Sequence, residues 1–264
     1  YIVLGLVDPD HSGIYDFRRA RTLAAIGYPH CRIAVYDQDD RAIHTFSLDG
    51  SHYWSAFGNG RSGQPDFTLV HSLAWHPDTG ELLAAFLPDR FAVIDGASGL
   101  MGRVVDLRHR PYRVLGSARR RIHVVPGGPI VDHWFGAVSG RYPSDSIFPR
   151  EAAPLLVGRD ENGNAVNWYG QVTRPGGASL ATALSRGHVS SGMGDTIWFA
   201  REHAARILGF PVDESSKSPT RVVDLPVFLE LEEPREFQHA ETRLTSNNLI
   251  PQILGFRALR DGTF

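Results

Sequence analysis

The sequence predicts an all-β chain, a β-propeller built from four-stranded blades. Short runs of β-branched, aromatic and aliphatic residues take the place of long amphipathic stripes, and turn signals such as Asp49-Gly50 separate them. The same strand-and-turn pattern then returns every 40 to 50 residues or so, the repeat length of propeller blades, whose neighbours bury the faces that one sheet cannot cover alone.

The first unit contains Arg32-Ile-Ala-Val-Tyr-Asp37, Arg41-Ala-Ile-His-Thr-Phe-Ser-Leu48 and Tyr53-Trp-Ser-Ala-Phe57, and its blade is expected over about 15–57. A second blade, 69–107, runs through the turn Pro77-Asp-Thr-Gly80 to Arg103-Val-Val-Asp-Leu107. The third, 111–172, is looser and carries an insertion over 139–153. In the fourth, 182–226, the strand Arg221-Val-Val-Asp-Leu225 nearly duplicates the end of the second, so both are read as outer strands. Residues 250–264 look like the opening of a further unit. Only 17–26 and 200–208 could pass for helices, and neither has a clear apolar stripe. A β-sandwich is the alternative architecture, but it does not require turn chemistry to recur at fixed offsets.

Composition agrees with one folded domain over 1–264: hydrophobic residues make up 42% and charged residues 21%. A net charge of −2 gives no reason to expect nucleic acid. No apolar run approaches the roughly 20 residues that cross a bilayer as a helix. The single cysteine, Cys31, excludes an intramolecular disulfide or a cysteine-cluster zinc site, and it reads as a small buried residue at a strand edge.

One stretch carries a family resemblance. The run Ala56-Phe-Gly-Asn-Gly-Arg-Ser-Gly-Gln-Pro-Asp-Phe67, followed by Leu73-Ala-Trp-His-Pro-Asp-Thr-Gly80, resembles the six-bladed propellers of the NHL and TolB-like group, in which a Gly-rich link and a Phe join one blade to the next. The resemblance implies six blades, with five as the alternative. It also implies a ring-closing strand over 1–7, a family C-terminal region partly absent from this chain, and an extracytoplasmic bacterial setting.

The candidate site is an aromatic and cationic cluster, His133, Trp134 and Phe135, leading into the insertion with Arg141, Tyr142 and Phe148; exposed aromatics and Arg are the usual anchors of interfaces. His44, His52 and His71 read as hydrogen-bonded structural residues, and Asp37, Asp95 and Asp224 as turn caps. The run Arg108, Arg110, Arg113, Arg119, Arg120 and Arg121 reads as a solvated rim. Ser185, Ser190 and Ser191 lack an esterase elbow, and Gly192-Met-Gly-Asp195 is a turn rather than a phosphate loop. The functional expectation is a non-catalytic protein-interaction or scaffold module, an accessory subunit of a larger and membrane-associated assembly, with no catalytic residue, cofactor or metal ligand assigned. The alternative is a lactonase-like hydrolase or lyase that holds calcium or zinc in the propeller channel.

Overall fold

The structure, a computed structural model, describes residues 19–27, 29–58, 65–86, 89–108, 113–114, 119–135, 138–139, 153–172, 187–193, 195–201 and 206–225. The chain divides into two compact units, Tyr1–Leu107 and Arg108–Phe264. Every regular element among the described residues is a strand.

The first unit holds two blades. Strands β1 (Ala20–Ile26), β2 (Arg32–Asp37), β3 (Ala42–Ser47) and β4 (His52–Phe57) form one antiparallel meander; β5 (Val70–Trp75), β6 (Leu82–Phe86), β7 (Arg90–Ile94) and β8 (Met101–Asp106) form the other. In the second unit, β10 (Arg119–Val124), β11 (Ile130–Phe135), β13 (Ala153–Arg159) and β14 (Ala165–Val172) form a third meander, and β15 (Gly187–Met193), β16 (Thr196–Arg201), β17 (Arg206–Pro211) and β18 (Arg221–Asp224) a fourth. The short strands β9 (Arg113–Val114) and β12 (Val138–Ser139) pair with each other as a separate two-stranded sheet.

The described residues thus contain four propeller-type blades, not the five or six expected. Residues 1–7, 250–264 and, within the 139–153 insertion, 140–152 lie outside the described residues. Both helix-like segments are strands where they are described: Ala20–Ile26 is the first strand of its blade, and 200–208 contributes to β16 and β17. The duplicated Arg-Val-Val-Asp segments are the outermost strands β8 and β18, as the sequence indicated.

Central strands read as continuous apolar runs because neighbours cover both of their faces. Leu82–Phe86 is buried at every position, whereas the outer strand β4 alternates. Between the two blades of the first unit lies a core of Tyr36, Ile43, Trp54, Phe67, Leu73, Trp75, Leu82 and Ile94, joined from β1 by Ala24 and Ile26. In the second unit, Val131, Leu155, Tyr169, Ile197, Phe199 and Phe210 do the same between its blades.

Polar bonds then fasten each blade to the next. The indole Nε1 of Trp54 on β4 donates to the carbonyl of Gly96, just beyond β7, at 2.9 Å. Tyr169 on β14 donates its hydroxyl to the carbonyl of Val212, just beyond β17, at 2.8 Å. In each unit, a buried aromatic on an outer strand therefore grips the connection between the third and fourth strands of the following blade. The second unit extends the device: Ser216 pairs in parallel with Tyr169, Ser216 N donates to Trp168 O at 3.0 Å, and Gly170 N donates to Ser216 O at 2.7 Å. Part of the outer edge of β14 is covered in this way, and pairing or covering an edge removes its capacity to recruit another chain.

The Gly-rich link ends as its motif suggested. Phe67 is fully buried, its backbone N donates to Gly58 O at 3.1 Å, and its ring meets Phe86 edge-on. Cys31 differs from expectation, since it is half-buried and has a positive φ of 48°.

Gly99 shows how tightly the grip is built. Its φ of +72° suits glycine, and a Cβ there would lie 2.6 Å from the Trp54 ring; at Gly127, with φ +61°, a Cβ would meet nothing within 4 Å. Gly127→Ala is expected to cost about 1 to 2 kcal/mol for the left-handed backbone alone. Gly99→Ala should cost a further 1 to 3 kcal/mol or so for overpacking. Urea unfolding followed by tryptophan fluorescence measures both, and equal losses would show that the Trp54 contact adds nothing.

Candidate functional site

In the second unit a seam of polar side chains joins the first strands of its two blades, β10 and β15. In β10 the alternation of a strand sends Arg120 and Ile122 to one face and Arg121 and His123 to the other. Arg121 reaches the fourth blade: its Nη1 donates to Gly187 O at 3.1 Å and lies 2.8 Å from His188 Nδ1. Two residues on, His123 Nε2 lies 2.6 Å from Ser191 Oγ. His133 is the register partner of Arg121 on β11, so it shares that face, and its ring meets Phe199 edge-on with centroids 4.9 Å apart. Gly187 leaves room for the same ring, because a Cβ there would come within 2.3 Å of Phe199.

The opposite face of β10 and β11 carries a buried charge cluster. Asp132 accepts from Arg159 Nε through Oδ2, and Arg120 Nε lies 3.8 Å from the same oxygen. Arg159 also donates through Nη1 to the carbonyls of Arg108 and Gly163. All three charged side chains are at most 4% exposed. Arg120 is therefore not part of a solvated rim, as the arginine run suggested; a register position on β10 carries it into the core.

Chemically, the seam joins a hydroxyl and an imidazole at hydrogen-bond distance, which is the relation a nucleophile bears to its base. Loss of hydration pushes the His123 pKa down to about 4, so its ring is neutral and weakly basic at pH 7. A general base works best with a pKa near the operating pH, so this environment suits a structural bond better than proton abstraction.

His133, singled out from the sequence, is buried at 1% exposure and packs inside the second unit. Trp134 and Phe135 belong to β11; Arg141, Tyr142 and Phe148 lie outside the described residues. Among the other sequence candidates, Asp95 caps its turn, accepting from Ala97 N and Ser98 N, and Asp37 accepts from Asp39 N. Asp224 instead pairs with Arg206 across the strands, at 2.8 Å. His44 is fully buried, and burial together with the nearby His52 pushes its pKa down.

A second cluster, in the first unit, escaped the sequence reading. A β-bulge in β4 shifts the register from Thr45↔Trp54 to Phe46↔His52, which leaves Tyr53 as the extra residue. Tyr53 is 51% exposed, and the Arg32 guanidinium carbon stands 4.2 Å above its ring. Leu48 and Leu100 are exposed large apolar residues of the same unit, and Leu100 follows the Gly99 that rests on Trp54. The only sequence signal was Tyr53 beside Trp54 in a strand, which does not say which of the two faces water.

No protein-family model matches the chain, and no curated protein matches it. Solved structures similar to it include a protein of unknown function from Bacteroides caccae, at 12% identity and a TM-score of 0.45, covering 78% of this chain and 60% of that one. Another is a candidate exported protein from Bacteroides fragilis, at 11% identity and a TM-score of 0.47, covering 76% of this chain and 52% of that one. The chain spans a little over half the length of these proteins.

Two outcomes are expected of the second unit. The folded state resists protonating His123, whereas the unfolded chain takes up that proton as pH falls through the ordinary 6.5. Stability contributed by the neutral ring is therefore present above pH 6.5 and lost on acidification towards pH 4, by roughly 3 kcal/mol in all. Denaturation at pH 7 and at pH 4.5 should show this loss, and His123→Gln should shrink it; an unchanged pH dependence would assign the acid sensitivity elsewhere. Asp132→Asn leaves two buried guanidinium groups without their carboxylate and should cost about 3 to 5 kcal/mol at pH 7, read from the urea midpoint.

Proposed function

We propose that the chain is a non-catalytic interaction module that docks a protein partner on the first unit, anchored by the Tyr53 and Arg32 pair and aided by exposed apolar side chains of the same unit such as Leu48 and Leu100. The observation that carries this reading is the exposed Tyr53 ring under the Arg32 guanidinium, pushed outward by the bulge and accompanied by Leu100 at 70% exposure. Tyr and Arg are enriched among residues that dominate binding energy, and a stacked pair is partly ordered before a partner arrives. The complement of a Tyr and Arg anchor is an apolar segment carrying a carboxylate.

The polar chemistry of the blades supports the same reading, since His123, Ser191, Asp132 and Arg159 are engaged in holding strands to one another. Trp134, Phe135, Arg141, Tyr142 and Phe148 extend the proposal as a second contact region leading into the 139–153 insertion. In this reading the protein is an accessory subunit of a larger, extracytoplasmic, membrane-associated assembly, a setting that rests on the resemblance to exported propellers; a complete ring of six blades rests on the same resemblance.

Affinity purification from the native source, with co-purifying proteins quantified by mass spectrometry, tests it. A partner present in stoichiometric amount should be retained by the unaltered chain and lost with Tyr53→Ser/Leu100→Ser, while thermal stability stays within about 0.5 kcal/mol, the usual range for surface changes. Purification without a partner, together with lactone hydrolysis that depends on added calcium, would replace the interaction reading with that of a metal-dependent hydrolase.

A further inference from the structure

The outer hairpin of the first blade contains an arrangement that the interaction reading does not use. His44 on β3 and Ser55 on β4 are register partners and share one face of the sheet. His44 Nδ1 lies 2.7 Å from Ser55 Oγ, and His52 Nε2 lies 2.9 Å from the same oxygen. Two imidazole nitrogens from different strands thus converge on one point, with ring centroids 6.5 Å apart. Aromatic rings flank the pair, Phe57 edge-on to His44 and Phe46 edge-on to His52. His44 is fully buried, whereas His52 is exposed, so the point is approached from the solvent side.

We propose that His44 and His52 form a two-imidazole site for a divalent transition ion of the zinc, nickel or copper type, which takes the place of the Ser55 hydroxyl. Metal-to-imidazole bonds are about 2.0 to 2.1 Å long. An ion at the hydroxyl position needs each ring to move less than about 1 Å inward while the serine side chain rotates away. Imidazole favours these metals over calcium and magnesium, and the expected order puts Cu²⁺ above Ni²⁺ and Zn²⁺.

Among the described residues no group of three or more His, Cys, Asp or Glu gathers that could hold a metal. Water fills the remaining coordination positions, and the ion exchanges with solvent rather than serving as a closed structural centre.

Isothermal titration of the 264-residue protein with zinc chloride in a non-coordinating buffer tests the site. The expected result is a saturable site that His52→Gln weakens on the order of a hundredfold, because the second ligand supplies the chelate gain. Ser55→Ala should keep the affinity or tighten it, since it removes only the hydroxyl that the ion displaces. His44→Gln should weaken binding as His52→Gln does, and His52, being exposed, keeps the test valid if the buried substitution disturbs folding. The proposal is overturned if no saturable site appears, if His52→Gln binds zinc as the unaltered protein does, or if Ser55→Ala loses binding as completely as the histidine variants.

Discussion

A four-stranded meander has two faces with apolar residues and can bury neither by itself, so the stability of each blade depends on how the next one is held against it. Apolar contact supplies most of the driving force, but it is non-directional and does not set the angle or the register of approach. The aromatic grip does. Trp54 and Tyr169 each bury a large ring against the following blade and direct a single donor at one backbone carbonyl, so a sliding displacement would strand both a buried donor and a buried acceptor. Trp75 adds a reciprocal bond in the first unit, from its Nε1 to Ala24 O at 3.2 Å. Glycines at 96, 99 and 187 sit where a methyl group would strike a neighbour, which shows how little clearance the contacts leave.

The buried cluster of Asp132 with Arg120 and Arg159 follows a different logic. Apolar residues of similar size could stabilise that position as well or better, whereas removing one charged member leaves the others stranded. Its geometric consequence is clear: Arg159 binds the carbonyls of Arg108 and Gly163, and so ties the entry of the second unit to the turn between β13 and β14. The His123 and Ser191 pair does similar work between first strands. Burial leaves that histidine neutral, which trades acid tolerance for a hydrogen bond inside a largely desolvated seam.

Much of the architecture was legible in the residues. Asp-Gly and Thr-Gly turns, the duplicated Arg-Val-Val-Asp segments and the Gly-rich link ending in Phe67 marked blade boundaries, because turns and links depend on local backbone chemistry. The first strand, 20–26, was not legible: Ala-Arg-Thr-Leu-Ala-Ala-Ile has as much helical as extended character, and pairing with β2 decides it. The candidate site fared less well. His133 was singled out with Trp134 and Phe135 as an interaction candidate, whereas its register beside Arg121 turns it inward against Phe199. Tyr53 was passed over, although a single bulge puts it in solvent.

The sequence by itself determined most of the strands, the turns and the blade repeat, since these follow from side-chain propensity and local backbone preference over a few residues. Only the tertiary structure decided which arginine is buried and which exposed, which histidines meet a serine, and which aromatic faces water. Those outcomes depend on strand register and on contacts between residues some 40 to 70 positions apart, such as Trp54 with Gly96 or His123 with Ser191. A one-residue change of register reverses every such assignment while leaving the local pattern intact.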